Sequence, residues 1–249
     1  MARQCLFCKR NADSREHLWA AWILKRVKTQ LIRHSIGGSP ERILANPELK
    51  IGTVCECCNN GWMSKLEEQN IPLIGCLLQD ISMSLDAAQQ SSIAVWTLKT
   101  AMVLDSVNTR DRSLFYKRNA CESLRLSFAI PSRTNIWIGR CSLSSLGAFG
   151  TDLWIDTPDT PRVAKGCATT IVVGHLAIQI LAVHTPPECN DRPISELAPK
   201  AGRWDDLLLH IWPAGTRAVT WPPPLTFTNS GSRSIAHLMD RWRIGKTAP

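Results

Sequence analysis

Near the start of the chain, apolar residues recur every fourth position at Trp19, Ile23, Val27 and Leu31, with Trp22 beside them and Ser14 ahead as a capping residue. This pattern predicts a helix from about His17 to Arg33, with Lys25 and Lys28 on its opposite face. Residues 35–53 hold Gly37-Gly38-Ser39-Pro40 and Asn46-Pro47, which reads as a loop with at most a short helix or strand. From Asn60 the spacing of Trp62, Met63 and Leu66 is helical again, and the helix is expected to end before Ile71-Pro72. Residues 90–106 are apolar around most of a helical circumference, as befits a central core helix.

Beyond that helix the period changes to that of strands. Residues 124–130, 135–141, 151–156, 168–183, 207–212 and 218–221 are rich in β-branched and aromatic residues and separated by Pro, Gly, Asn and Asp. Residues 166–187 contain no Asp, Glu, Lys or Arg, yet Thr169, Thr170, His175 and Gln179 lie within them. Gly174-His175 has the look of a two-residue hairpin turn, so this stretch is read as two buried strands and not as a membrane span. Short connections favour antiparallel pairing. A stripe of Ile235, Leu238, Met239 and Trp242 predicts a closing helix over 233–243. The expected class is α+β: a small N-terminal domain over residues 1–75, then a mostly antiparallel sheet domain with packing helices over 76–249.

Charge sharpens this picture at one end. The formal net charge is +8, and residues 1–50 alone carry ten Lys or Arg against four Asp or Glu. Such a concentration suits a polyanionic partner, because basic side chains that neutralise phosphates release condensed counterions. The first residues lack an apolar signal core, so the ten cysteines read as intracellular thiols or metal ligands and a cytoplasmic location is expected. There is no Walker loop, dinucleotide fingerprint or nucleophile elbow. His34, His175, His184, His210 and His237 are scattered outside metal-ligand spacing, and the ten tryptophans mostly occupy apolar-periodic positions suited to packing.

Chemistry concentrates between residues 5 and 60. Cys5 and Cys8 form one CxxC pair and Cys55 and Cys58 another, and two such pairs can close a tetrahedral thiolate zinc site with no open position, hence a structural one. Cys57 could replace Cys55 or Cys58, with Cys58 favoured because its spacing matches the first pair. Within the 46 residues that separate the pairs lies Arg15-Glu16-His17, and directly after the second pair come Asn59 and Asn60. A CxxC, an acidic residue followed by histidine, and a CxxCN entering a helix together resemble the HNH, or ββα-metal, nuclease superfamily, especially its zinc-stapled members.

The resemblance covers about 60 residues and implies a metal-dependent endonuclease that hydrolyses phosphodiester bonds in nucleic acid, with DNA the expected substrate. It makes His17 the general base that activates water, Glu16 and Asn59 the ligands of a catalytic Mg²⁺ or Mn²⁺, and Asn60 the alternative to Asn59. Arg15, Lys25 and Lys28 would grip the phosphate backbone. Glu16 stands where Asp or His is usual, Lys50 and Ile51 occupy the place of the bracing asparagine, and Met63 stands one turn after Asn59. Glu67 is the outside candidate for holding a metal-bound water. The competing expectation is a non-catalytic zinc-stapled nucleic-acid-binding or regulatory protein. The C-terminal domain could serve a homodimer or a protein partner.

Overall fold

A computed structural model describes residues 3–27, 32–36, 42–44, 50–107, 114–157, 160–184, 197–198, 206–228 and 243–244; at Glu16 and in parts of the strands only the backbone is described. The class is α+β, as the residue periodicity predicts. Strand β1 (Glu16–His17) pairs antiparallel with β4 (Lys50–Ile51), while helix α1 (Ala21–Arg26), β2 (Ile32–Ile36) and β3 (Arg42–Leu44) form the insertion between them. Three helical pieces follow: α2 (Glu56–Cys58), a π-helical turn (Asn59–Met63) kinked at Gly61, and α3 (Ser64–Leu78).

The predicted helix over 17–33 is therefore much shorter. His17 lies in a strand, Ala20 and not Ser14 occupies the cap position, and Val27 is already extended with φ −93° and ψ 93°. The four-residue period identified the inward residues, since Trp19, Ile23 and Val27 are all buried. It misjudged the backbone, because a strand and a bend on either side of a short helix can turn the same residues inward. In α3 the expected stop at Pro72 does not occur. Pro72 and Glu68 both lie on the exposed face, so the carbonyl left without its intrahelical donor is on the water side. Leu66, Asn70, Ile74, Leu77 and Leu78 bury the opposite face and carry the helix through.

Helix α4 (Ala87–Val107) is buried on nearly every side from Ile93 to Ser106, matching its predicted central position. A short strand, β5 (Met83–Leu85), precedes it and pairs with β10 (Val219–Trp221). Residues 124–130, expected as a strand, belong instead to helix α5 (Arg118–Ser127) and the turn after it. The alternating Leu124, Leu126 and Phe128 suggest period two, but only Leu124 is inside; Leu126 is 71% exposed and Phe128 takes the left-handed conformation that ends the helix.

The sheet is built on two long antiparallel strands, β6 (Thr134–Thr157) and β7 (Thr160–His184). The predicted strands at 135–141 and 151–156 are the two halves of β6. Gly174-His175 is no hairpin turn: β7 runs through it, and Gly174, at φ +61°, sits at an irregularity where the partner register jumps from Arg140 to Ser145. Strand β9 (Leu208–Trp212) pairs antiparallel with β6. Two pairings depart from the antiparallel expectation, since β2 and β11 (Thr226–Phe227) both join β6 in parallel after long connections. A last small pair joins β8 (Leu197–Ala198) to β12 (Arg243–Ile244). The predicted helix over 233–243 lies outside the described residues except at Arg243, which is in β12.

One hydrophobic cluster includes Cys5, Phe7, Trp19, Val54 and Met63 together with Leu98, Cys121, Ile138, Ile178 and Trp221. The position 75/76 falls within α3.

Candidate metal centre

The first cysteine pair sits in a tight reversal in which Cys5 N–H donates to Arg10 O at 2.8 Å, and Gln4 bridges to Asn11. Backbone bonds from Leu6 N to Thr53 O (2.8 Å) and from Ser14 N to Val54 O (3.2 Å) lay this reversal against the approach to the second pair. Cys55 caps α2, its sulfur accepting from Cys58 N–H at 3.4 Å, so the helix start itself turns both sulfurs the same way.

The result is a cluster of Cys5, Cys8, Cys55 and Cys58 whose sulfurs all lie within 4.8 Å of one another, with Cys8 and Cys55 at 3.5 Å. Bonds of about 2.3 Å to a tetrahedral ion separate sulfurs by roughly 3.8 Å, so the donor set fits a four-coordinate soft metal. Cys57 is exposed and takes no part, which decides between it and Cys58. Cys5, Cys55 and Cys58 are buried and Cys8 is half-buried.

Burial pushes Cys58 far up, and the nearby Cys5 charge adds to this. Burial also raises Cys55. Cys8 is likewise pushed up by burial, but hydrogen bonds from the Arg10 backbone and from the neighbouring thiols outweigh it and bring Cys8 below its ordinary value. Metal binding requires the thiolate form, and a cation among the four sulfurs would offset the cost of ionising them together. By contrast Cys121, pushed up to about 12 by burial, is a core thiol.

Helix α5 holds the first pair from outside. Arg118 Nη1 donates to Cys8 O at 2.9 Å and Cys5 O at 3.3 Å, its Nη2 donates to Gln4 Oε1 at 2.8 Å, and Arg125 Nε donates to Phe7 O at 2.9 Å. These arginines are seven positions apart on one helix face. Reading 124–130 as a strand concealed that spacing.

Ser14 Oγ accepts from Asn59 Nδ2 at 2.8 Å, tying the segment that enters β1 to the first residue of the π-helical turn. Register places Glu16 opposite Ile51 and His17 opposite Lys50. His17 is half-buried, Arg15 and Lys25 are exposed, and the Glu16 side chain and Lys28 lie outside the described residues. Asn60 is turned away, with its Nδ2 3.4 Å from Glu56 Oε1. Asn59 is the C-cap of α2, while the helix start belongs to Cys55. Glu67 is committed elsewhere, to Lys99 and Trp22. Among the described residues the cysteines are the one group of three or more potential metal ligands within mutual reach.

No protein-family model, no curated protein and no solved structure matches this chain. Among the described residues no helix is long and apolar enough to cross a membrane.

Proposed function

We propose that the chain is a zinc-stapled, metal-dependent nuclease of the HNH kind that hydrolyses phosphodiester bonds in DNA. The observation that carries this reading is the chain order around the cysteine cluster. A strand bearing Glu16-His17 pairs with a second strand, which leads through Cys55 into the helical segment bearing Asn59, and the Ser14–Asn59 bond closes the two ends on each other. Two strands and a helix in this relation are the skeleton that the sequence resemblance requires.

In this reading the four cysteines hold zinc, which keeps the two ends together and does no chemistry. Glu16 and the oxygen of Asn59 would hold Mg²⁺ or Mn²⁺, and such an ion supplies charge stabilisation at the scissile phosphate and leaving oxygen. The bond from Asn59 Nδ2 to Ser14 orients the amide and reserves its oxygen for that task. His17 takes the proton of the attacking water, a role suited to imidazole near neutral pH. Arg15, Lys25 and Lys28 neutralise the flanking backbone phosphates.

A second reading has its own observation. Met63, one turn after Asn59, is buried at 1% exposure, and Glu67 is held in an ion pair, so the helix adds no further ligand for a catalytic ion. This favours a zinc-stapled module that binds nucleic acid without cutting it.

Incubating the purified chain with supercoiled plasmid and Mg²⁺ or Mn²⁺ separates the two. Nicking that His17→Ala lowers by about 100- to 10,000-fold is the expected result. Nicking that survives this substitution removes His17 from the mechanism, and binding without cleavage selects the second reading. Elemental analysis should find zinc in the protein.

A further inference from the structure

Along β4 and its exit, exposure alternates residue by residue: Lys50 and Gly52 are exposed, while Ile51 and Thr53 are buried. Register sets His17 directly opposite Lys50 in the antiparallel pair, and directly opposed residues share one face of a ladder. His17 and Lys50 therefore stand on the open face of β1 and β4, whereas Ile51 lies on the face turned into the core. Opposed Cα atoms in such a pair are about 4.5–5.5 Å apart, so a lysine stem is long enough to bring its ammonium to an anion that the imidazole also reaches.

The charge around this face is one-sided. Arg15, two residues before His17, is exposed. Lys50 makes no hydrogen bond or ion pair among the described residues. Asp13, the acid of the segment entering β1, is engaged at the start of α2, where its Oδ1 accepts from Glu56 N–H at 2.8 Å. Gly52 supplies the space. Apart from its chain neighbours, a Cβ there would meet only Ser14 O, at 4.0 Å, so the strand beside Lys50 is bare on its open side. A missing side chain lets a ligand come close to the backbone. A solvated lysine needs no ligand; what distinguishes Lys50 is its place opposite His17 with an exposed glycine two residues on.

We propose that this open face is a phosphodiester subsite, in which one backbone phosphate of a nucleic acid seats over Gly52, held by Lys50 and Arg15 beside His17. The proposal rests on the nuclease reading only for the polymer that supplies the phosphate. It makes Lys50 a positioning residue, which holds the strand next to the histidine and takes no proton itself.

Fluorescence anisotropy with the full zinc-loaded chain and a short DNA duplex, with no further divalent cation added, reads this contact through its salt dependence. The slope of log K against log[salt] should flatten by about 0.9 in Lys50→Ala, and affinity at about 0.1 M salt should fall about 5- to 10-fold, while Lys50→Arg should keep both. Gly52→Leu leaves the charge intact but fills the space over the strand, and should weaken binding by a similar factor. Arg217→Ala removes an equal charge from an exposed residue beside Gln90, near the start of α4, and should leave the slope unchanged. Unchanged melting temperatures separate loss of the subsite from loss of the fold. No salt-dependent binding by the parent protein, an unchanged slope in Lys50→Ala, an equal flattening in Arg217→Ala, or binding indifferent to Gly52→Leu would each overturn the subsite. Plasmid nicking judges the nuclease reading separately. A parent protein that nicks but whose slope survives Lys50→Ala loses the subsite alone, and one that shows the slope change without nicking keeps the subsite as part of a binding module.

Discussion

A single carboxylate, Glu67, joins three helices. Its Oε1 meets Lys99 Nζ of α4 at 2.5 Å, and its Oε2 accepts from Trp22 Nε1 of α1 at 2.7 Å. The Lys99 ammonium also lies 5.7 Å from the Trp96 ring, and the Arg26 guanidinium 5.2 Å from the Trp22 ring. Because only three residues separate β1 from α1, this anchor helps fix the strand that carries His17. Burial raises the pKa of Glu67, but the charge of Lys99 and hydrogen bonds from Lys99 and Trp22 outweigh it and hold the carboxyl below its ordinary 4.5. A carboxyl whose pKa falls on folding adds stability above its unfolded value, and that stability disappears as pH drops through the folded value. Glu67→Gln should therefore cost about 3 kcal/mol at pH 7, since it strands the Lys99 charge. In urea unfolding the gap between the two proteins should narrow as pH falls below about 4.5; a gap constant down to pH 3 would detach the effect from the carboxylate charge.

Among elements, the junction of α3 with the sheet depends on the irregularity in β6 and β7. A Cβ on Gly174 would stand 2.6 Å from Leu78 O, at the end of α3. Beside it Asp80, itself at φ +60°, pairs with Arg140 just where the register shifts. The helix end is thus seated in the bend of the long hairpin, and the bend needs a residue that tolerates positive φ and has no side chain. Gly174→Ala combines backbone strain with a clash against a carbonyl and should destabilise the fold by about 3 kcal/mol. Chemical denaturation measures this directly, and a cost below about 1 kcal/mol would mean that α3 is not held tightly there.

At the scale of the whole molecule, the cysteine cluster is part of the main core. Cys5, Cys55 and Cys58 belong to the same buried cluster as Trp96 of α4 and Ile178 of β7, and α5 grips the first cysteine pair through Arg118 and Arg125. If the cluster holds a metal, removing it should loosen the sheet as well as the cysteine segments. If the centre contributes even half of the roughly 10 kcal/mol with which thiolates hold zinc, chelation should lower the melting temperature by about 10–20 °C. Near-UV circular dichroism should lose the tertiary signal in one transition. A sheet signal that persists through chelation would show that the cysteine segments unfold independently.

Short-range chemistry was legible in the residues themselves. The two CxxC pairs announced the cluster, because ligand spacing within a tight reversal is a local property. The apolar run of α4 announced a central helix, because a helix that is apolar around its circumference must be covered on every side. The passage of α3 through Pro72 and the unbroken course of β7 through Gly174 were settled by tertiary contacts. In each case local preference was weak or opposed, and packing against a distant segment outweighed it. The arginines that clamp the first cysteine pair became visible only once residues 118–127 were seen as a helix, since two positions seven apart share a face in a helix and face opposite sides in a strand.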